Sequence, residues 1–146
     1  MFFSKSFGYA LRGILYVALT CNQKQRIQVD EIARELCVPK HFLSKVMNKV
    51  VKHGILNSTK GPYGGLSVNE KTLSTPLFDL ITITNGDAQF NNCLLRLVKC
   101  NADYPCPLHH KMEAYKAELL ALFTSTTIGD LLHAGQPDFI KSITTL

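Results

Sequence analysis

Cys93, Cys100, Cys106 and His109 stand close together in the second half of the chain, spaced C-x6-C-x5-C-x2-H within NNCLLRLVKCNADYPCPLHH. Thiolate sulfur and imidazole nitrogen are the donors that a soft or borderline metal centre takes up. Three chemistries fit the set. Cysteine thiolates anchor iron–sulfur clusters, and a histidine in place of one thiolate removes a negative charge and raises the reduction potential. Three cysteines and a histidine are also a closed structural set for zinc. Without a metal, Cys100 and Cys106 are the pair that a reversible disulfide would join. A histidine must be neutral to coordinate, which ties binding to pH. His110, next along, projects elsewhere on a helix and reads as a surface or supporting residue. Cys21, ending an apolar helix, and Cys37, in a turn, read as small buried or half-buried fillers.

These donors need elements to hold them, and the hydrophobic pattern supplies candidates. Phe7, Leu11, Ile14, Leu15 and Ala18 recur at helical spacing and predict a first helix over Lys5–Cys21. A short helix follows over Val29–Leu36, then a turn at Cys37-Val38-Pro39, with Pro39 suited to a first helical position. The next helix, Pro39–His53, turns Phe42, Leu43, Val46, Val50 and Val51 inward and ends at Gly54. Residues 55–59 and 66–68 read as short strands around the glycine-rich KGPYGG hairpin at 60–65. Thr75-Pro76 opens a helix over Thr75–Thr84, with Thr75 as its cap. The segment 87–106 has no clear periodicity and carries the cysteines, and Pro107–Phe123 is an amphipathic helix. A short last helix begins near Thr127.

Two short helices joined by a tight turn, then a basic hairpin, form a winged helix-turn-helix pattern, so the expected fold is mainly α. The second helix is sized for a major groove. His41, Ser44, Lys45 and Asn48 are placed to reach base edges or nearby phosphates. Lys40, Lys49 and Lys52 suit backbone phosphates, and Lys60 on the wing suits a phosphate or minor-groove contact. The plainer reading of the same residues is a solvated, lysine-rich helix on a small protein-interaction module.

Composition sets the outer bounds. The chain has 146 residues, 46% hydrophobic and 18% charged, which argues for a folded protein. A net charge of +5 suits a polyanionic partner or simple solubility. No apolar run approaches the roughly 18 residues of a membrane span, and Arg12 interrupts the apolar start that would mimic a signal peptide. The expectation is a cytoplasmic protein with no membrane partner. Five cysteines, an odd number, suit thiol or metal chemistry better than a disulfide framework. No phosphate-cradling loop, nucleophile motif or paired carboxylates accompany the cysteines, so an enzyme with a small-molecule substrate is not expected.

VDEIARELCVPKHFLSKVMNKVVKHGILNSTKGPYGGLSV resembles the helix-turn-helix and wing of the Rrf family of bacterial regulators. That family includes iron–sulfur cluster regulators, nitric oxide sensors and regulators of cysteine metabolism. SFGYALRGILYVAL is similar to its first helix and TTIGDLL to its closing segment. The resemblance implies a transcriptional regulator, most often a repressor. It also implies a homodimer joined through the long C-terminal helix, with paired winged units reading half-sites of a double-stranded DNA operator. The implied units are a DNA-binding part at 1–86, a cluster loop at 87–106, and a dimerisation helix with the C-terminal segment at 107–146. By the same resemblance Cys93, Cys100 and Cys106 match the cluster cysteines and His109 the histidine ligand, with the first gap one residue longer than usual. Gly8 stands where the nitric oxide sensor type supplies a carboxylate, which favours a 2Fe-2S cluster over 4Fe-4S. A four-iron cluster completed by water or a small thiol, a structural zinc site, and a cluster-free thiol- or ligand-sensing regulator stay open.

Overall fold

A computed structural model of the chain describes residues 3–86, 88–96, 98–134 and 139–144. Its helices are α1 (Lys5–Thr20), α2 (Val29–Glu35), α3 (Lys40–Lys52), α4 (Leu77–Asn85), α5 (Ala88–Asn91), α6 (His109–Ser125), α7 (Ile128–His133) and α8 (Phe139–Thr144). Strands β1 (Leu56–Thr59) and β2 (Gly65–Val68) form an antiparallel hairpin. The fold is mainly helical, as the apolar periodicity predicts. No described helix is long and apolar enough to cross a membrane.

Helix α1 is the axis. Ser4 caps it by accepting the Phe7 amide at 3.2 Å, and Ala10, Ile14, Leu15 and Val17 are buried along its length. It packs against α2, α3, α4, α7, α8 and β2. Gly13 explains how closely α3 approaches, because a Cβ there would lie 2.9 Å from Met47 Sδ. Arg12, which breaks the apolar run, spends its fork on two helix ends. Nε donates to the Ile143 carbonyl at 2.6 Å and Nη2 to the Leu36 carbonyl at 2.8 Å.

The helix-turn-helix forms where the pattern places it, with details corrected. Pro39 is the N-cap of α3, at ψ 121, and not its first helical residue. Its carbonyl accepts from Leu43. The inner face of α3 is Leu43, Val46, Met47 and Val50. Phe42 instead lies 40% exposed, its ring edge-on to Tyr9 with centroids 5.5 Å apart. Cys37 is not a buried filler: it is exposed and takes the left-handed conformation at φ 53 that reverses the chain between α2 and α3.

The hairpin is rooted by a backbone bridge. Ile27 and Leu66 exchange hydrogen bonds at 2.9 and 2.8 Å. Gly65, at φ 145, brings its backbone so near that a Cβ would sit 2.7 Å from the Ile27 carbonyl. The following helix starts later than expected. Pro76 is the N-cap of α4, while the Thr75 hydroxyl donates to the Lys71 carbonyl at 2.8 Å.

The end of the chain returns to the body. Leu77 donates to the Thr126 carbonyl at 2.9 Å and Ile128 to that of Thr75 at 3.0 Å. A capping box starts α7, the Thr127 amide donating to Asp130 Oδ2 at 2.8 Å and the Asp130 amide to Thr127 Oγ1 at 3.1 Å. Helix α6 is different. Of its apolar stripe, Met112, Leu119 and Phe123 are half-buried, whereas Tyr115 is 69% and Leu122 55% exposed.

Two measurements check this account. A side chain in the left-handed region costs about 1–2 kcal/mol and glycine avoids that penalty, so Cys37→Gly should raise the urea-derived unfolding free energy by about 1 kcal/mol. The hydrogen bonds from the Thr127 amide and hydroxyl hold the Asp130 carboxyl below its ordinary 3.8. That contribution is complete above 3.8 and fades as pH falls through the lowered folded value. Asp130→Asn should therefore flatten the acid limb of the stability–pH curve.

Candidate nucleic-acid interface and candidate metal centre

The polar residues of α3 share the face opposite its buried stripe. Lys40, His41, Lys45, Asn48, Lys49 and Lys52 are exposed and Ser44 is half-buried. Residues three and four apart stack on one side of a helix, so His41, Ser44, Lys45 and Asn48 line up. Lys60 is exposed at the hairpin. Gln28 braces that hairpin against the start of α2, its Nε2 donating to the Pro62 carbonyl at 3.1 Å. A shallow groove of about 290 Å³ runs between Lys40 and Asp30 on one side and Gly61, Gly64 and Gly65 on the other. Lys40 Nζ lies 2.5 Å from Asp30 Oδ1 across an exposed pair. Two residues went unmarked by the sequence reading: Gln28, whose brace needs the fold to be seen, and Tyr63. Tyr63 stands 89% exposed on the wing, and a lone aromatic in a turn was its only signal.

The cysteine segment is shaped by a small backbone pinch. Asn92 and Lys99 form an antiparallel bridge. Cys93 donates its amide to the Val98 carbonyl at 2.6 Å and Cys100 to that of Asn91 at 2.9 Å. This pinch brings the ends of the first gap together, so a gap of six residues is absorbed by the loop. Helix α5, within a stretch expected to lack periodicity, leads into it. Cys106 is drawn in from the other side, its carbonyl accepting from the His109 amide at 2.9 Å.

Cys93 is 5% exposed, and Cys100 and Cys106 are half-buried. The backbone amide of Arg96, then that of Leu95, and the thiols of Cys106 and Cys100 hold the Cys93 thiol below its ordinary value, against the opposing effect of burial. Cys106 and Cys100 thus both lie beside Cys93, with amide donors aimed at its sulfur, but among the described residues the three sulfurs and His109 do not close into a set within 4.8 Å of one another. Lys116 of α6 adds a cation, its Nζ 3.7 Å from Cys100 Sγ and hydrogen-bonded to the Asn92 carbonyl.

His109 is 8% exposed and lines a cleft of about 210 Å³ together with Cys100, Lys116 and Glu113. Its Nε2 faces Glu113 Oε2 at 3.8 Å, and its ring meets that of His110 edge-on at 5.2 Å. The imidazole therefore shares a cleft with one thiol while turned toward a carboxylate. The donor types suit a thiolate-anchored group: the Cys100 thiol and the His109 imidazole line one cleft, with amide and ammonium donors nearby to offset negative charge. Lys116 and Glu113 were not singled out from the sequence, and His110 was set aside there as a surface or supporting residue. Helical spacing places Glu113 one turn from His109, and that spacing was the available signal.

A pair of short helices, a reading helix and a braced basic wing define the class: a winged helix-turn-helix regulator of transcription. A family model described as "Rrf2: Iron-dependent Transcriptional regulator" matches residues 3–134. A candidate HTH-type transcriptional regulator of Aquifex aeolicus (strain VF5) is 38% identical over 135 residues, covering 91% of this chain and 92% of that protein. The structure of CymR, the global cysteine regulator of B. subtilis, superposes with a TM-score of 0.74 at 18% identity, covering 91% of this chain and 97% of that one. T. potens IscR gives 0.69 at 16% identity, covering 91% and 87%. The chain belongs to the Rrf2 family of transcriptional regulators, which are DNA-binding proteins and not enzymes.

Proposed function

We propose that this regulator is a cytoplasmic homodimer that reads a double-stranded operator through α3 and the wing, as a repressor. Its DNA binding is governed by an iron–sulfur cluster on Cys93, Cys100, Cys106 and His109. The observation that carries the reading is that Cys100 and Cys106 both lie beside the buried Cys93 in the loop that leads to α6, the helix whose Tyr115 and Leu122 stand 69% and 55% exposed. The family's iron dependence supports iron as the metal. When bound, the cluster would supply a redox-active, oxidant- and nitric-oxide-reactive centre.

The chain's own residues divide the work. Cys93 is held by the loop pinch, Cys100 by the same pinch and by Lys116, and Cys106 by the turn that starts α6. Gly8 leaves the first helix without a carboxylate at the position in question, which favours the two-iron form with His109 over a four-iron form. In this reading residues 1–86 serve DNA binding, 87–106 the cluster and 107–146 pairing. On the DNA side, Lys40, Lys49 and Lys60 hold phosphates, while His41, Ser44, Lys45 and Asn48 face the groove. Tyr115 and Leu122, two turns apart on one face of α6, form the surface on which a second α6 packs.

Two experiments test the reading. Anaerobically purified protein should be brown and contain iron and sulfide, both lost when Cys93, Cys100 and Cys106 are changed to Ala. Stoichiometric zinc in a colourless protein would replace the cluster with a structural site. Equal DNA affinity for cluster-loaded and cluster-free protein would remove the sensing role. For DNA, Lys49→Ala and Lys60→Ala should each lower the slope of log K against log salt by about 1, across sequences. Asn48→Ala should lose about 1–3 kcal/mol at the operator and little elsewhere.

A further inference from the structure

Among the described residues, His109, His110 and Glu113 form a set of three metal-capable donors whose ligand atoms all lie within 4.8 Å of one another. They occupy the first turn of α6. His109 and Glu113 are one helical turn apart and face each other across 3.8 Å. That gap is too wide for a good hydrogen bond. It is close to the roughly 3.3 Å that separates two ligands of one tetrahedral zinc ion bound at about 2.0–2.1 Å. His110 completes the set from the adjacent position, its ring edge-on to His109 with centroids 5.2 Å apart.

The neighbourhood fits a cation of borderline softness. Imidazole and carboxylate together suit zinc, nickel or cobalt, and three such ligands leave a position for water. His109 is 8% exposed, so its ring is held by packing. His110 and Glu113 are exposed, so their side chains have room to swing inward. Lys116, a cation lining the same cleft, is engaged by the Asn92 carbonyl and the Cys100 thiol.

We infer that the start of α6 is a second metal site, a nitrogen–oxygen site for zinc or a similar divalent ion, built from His109, His110 and Glu113. It uses none of the three thiols. It shares one residue with the proposed cluster, because His109 Nε2 that coordinates the ion is withdrawn from the thiol side. Zinc would then act on the same helix as the cluster, through the same imidazole. That competition rests on the cluster reading; the site itself does not.

The test is a titration of cluster-free full-length protein with Co2+, read by its visible spectrum, followed by displacement with Zn2+. The same protein with Cys93, Cys100 and Cys106 changed to Ala, which has no loop thiolate to offer cobalt, should still saturate. His110→Ala and Glu113→Gln should each weaken binding by about tenfold or more, since even supporting residues of metal sites have effects of that size. Both are exposed, so the folded chain should tolerate the changes, and unaltered circular dichroism checks this. A thiolate band together with unchanged affinity in both variants would place the ion on the cysteines and overturn the site. Failure of the wild type to saturate at millimolar cobalt would overturn it equally. Iron and sulfide analysis of the two variants separates this result from the cluster reading, because neither His110 nor Glu113 belongs to the cluster set.

Discussion

The packing of α1 against α3 is the constraint on which the rest of the molecule depends. Gly13 removes the side chain that would otherwise meet Met47, and the two helices close over Ile14, Val17, Leu43 and Met47, each no more than 1% exposed. Burying an aliphatic side chain of this size contributes about 1.5–3 kcal/mol before entropy is counted. The reading helix is thereby fixed at its inner face, which leaves its outer face polar. Arg12 extends the same logic to the ends of neighbouring elements. Its charge cannot be shed, so it must be spent on acceptors, and the Leu36 and Ile143 carbonyls are the ends of the first helix-turn-helix helix and of the last turn of the chain. A residue that looks like an interruption in an apolar helix is the clasp between the reading unit and the C-terminal segment.

Helix α6 is gripped at both ends and loose along one side. At its C-terminal end Phe123 stacks on Phe3 at 5.0 Å and leans on Phe7 at 5.9 Å, against the start of α1. At its N-terminal end the grip is the cysteine loop, through Cys106, His109 and Lys116. On the proposed reading, a change in what the thiols hold would act on a lever whose far end is pinned to α1. For that lever to switch affinity, the two occupancy states must favour different placements of α6 over α4 and α1. The exposed Tyr115 and Leu122 lie along the same lever, so any partner helix would feel the change directly.

The helices and the wing were legible because periodicity and turn chemistry are local properties. What was not legible depends on contacts between distant residues. Phe42 carries a hydrophobic side chain at a plausible inward position, yet Met47 takes the core because Gly13 opens space for it. Thr75 looks like a cap, but the Lys71 carbonyl claims its hydroxyl, and Pro76 takes the capping place. Cys37 looks like filler, since sequence cannot show that its backbone must turn left-handed. At the candidate site the four spaced donors were visible. Their helper groups were not. Lys116 lies sixteen residues beyond Cys100 in sequence and meets it only because α6 folds back over the loop.

On the proposed DNA-facing surface, the Lys40–Asp30 pair would reconcile stability with exchange. Both side chains are more than half exposed, and an exposed ion pair contributes only about 0–1 kcal/mol. It is enough to hold Lys40 beside the groove between α2 and the wing, and too little to resist a phosphate. A lysine kept in place by a weak internal partner is oriented before binding, so less side-chain freedom is lost on contact. Releasing it leaves Asp30 in the first turn of α2, where the helix dipole favours a negative charge. The exchange of partners therefore strands no buried charge, and a neutralising substitution at Asp30 would free Lys40 without disturbing the core beneath it.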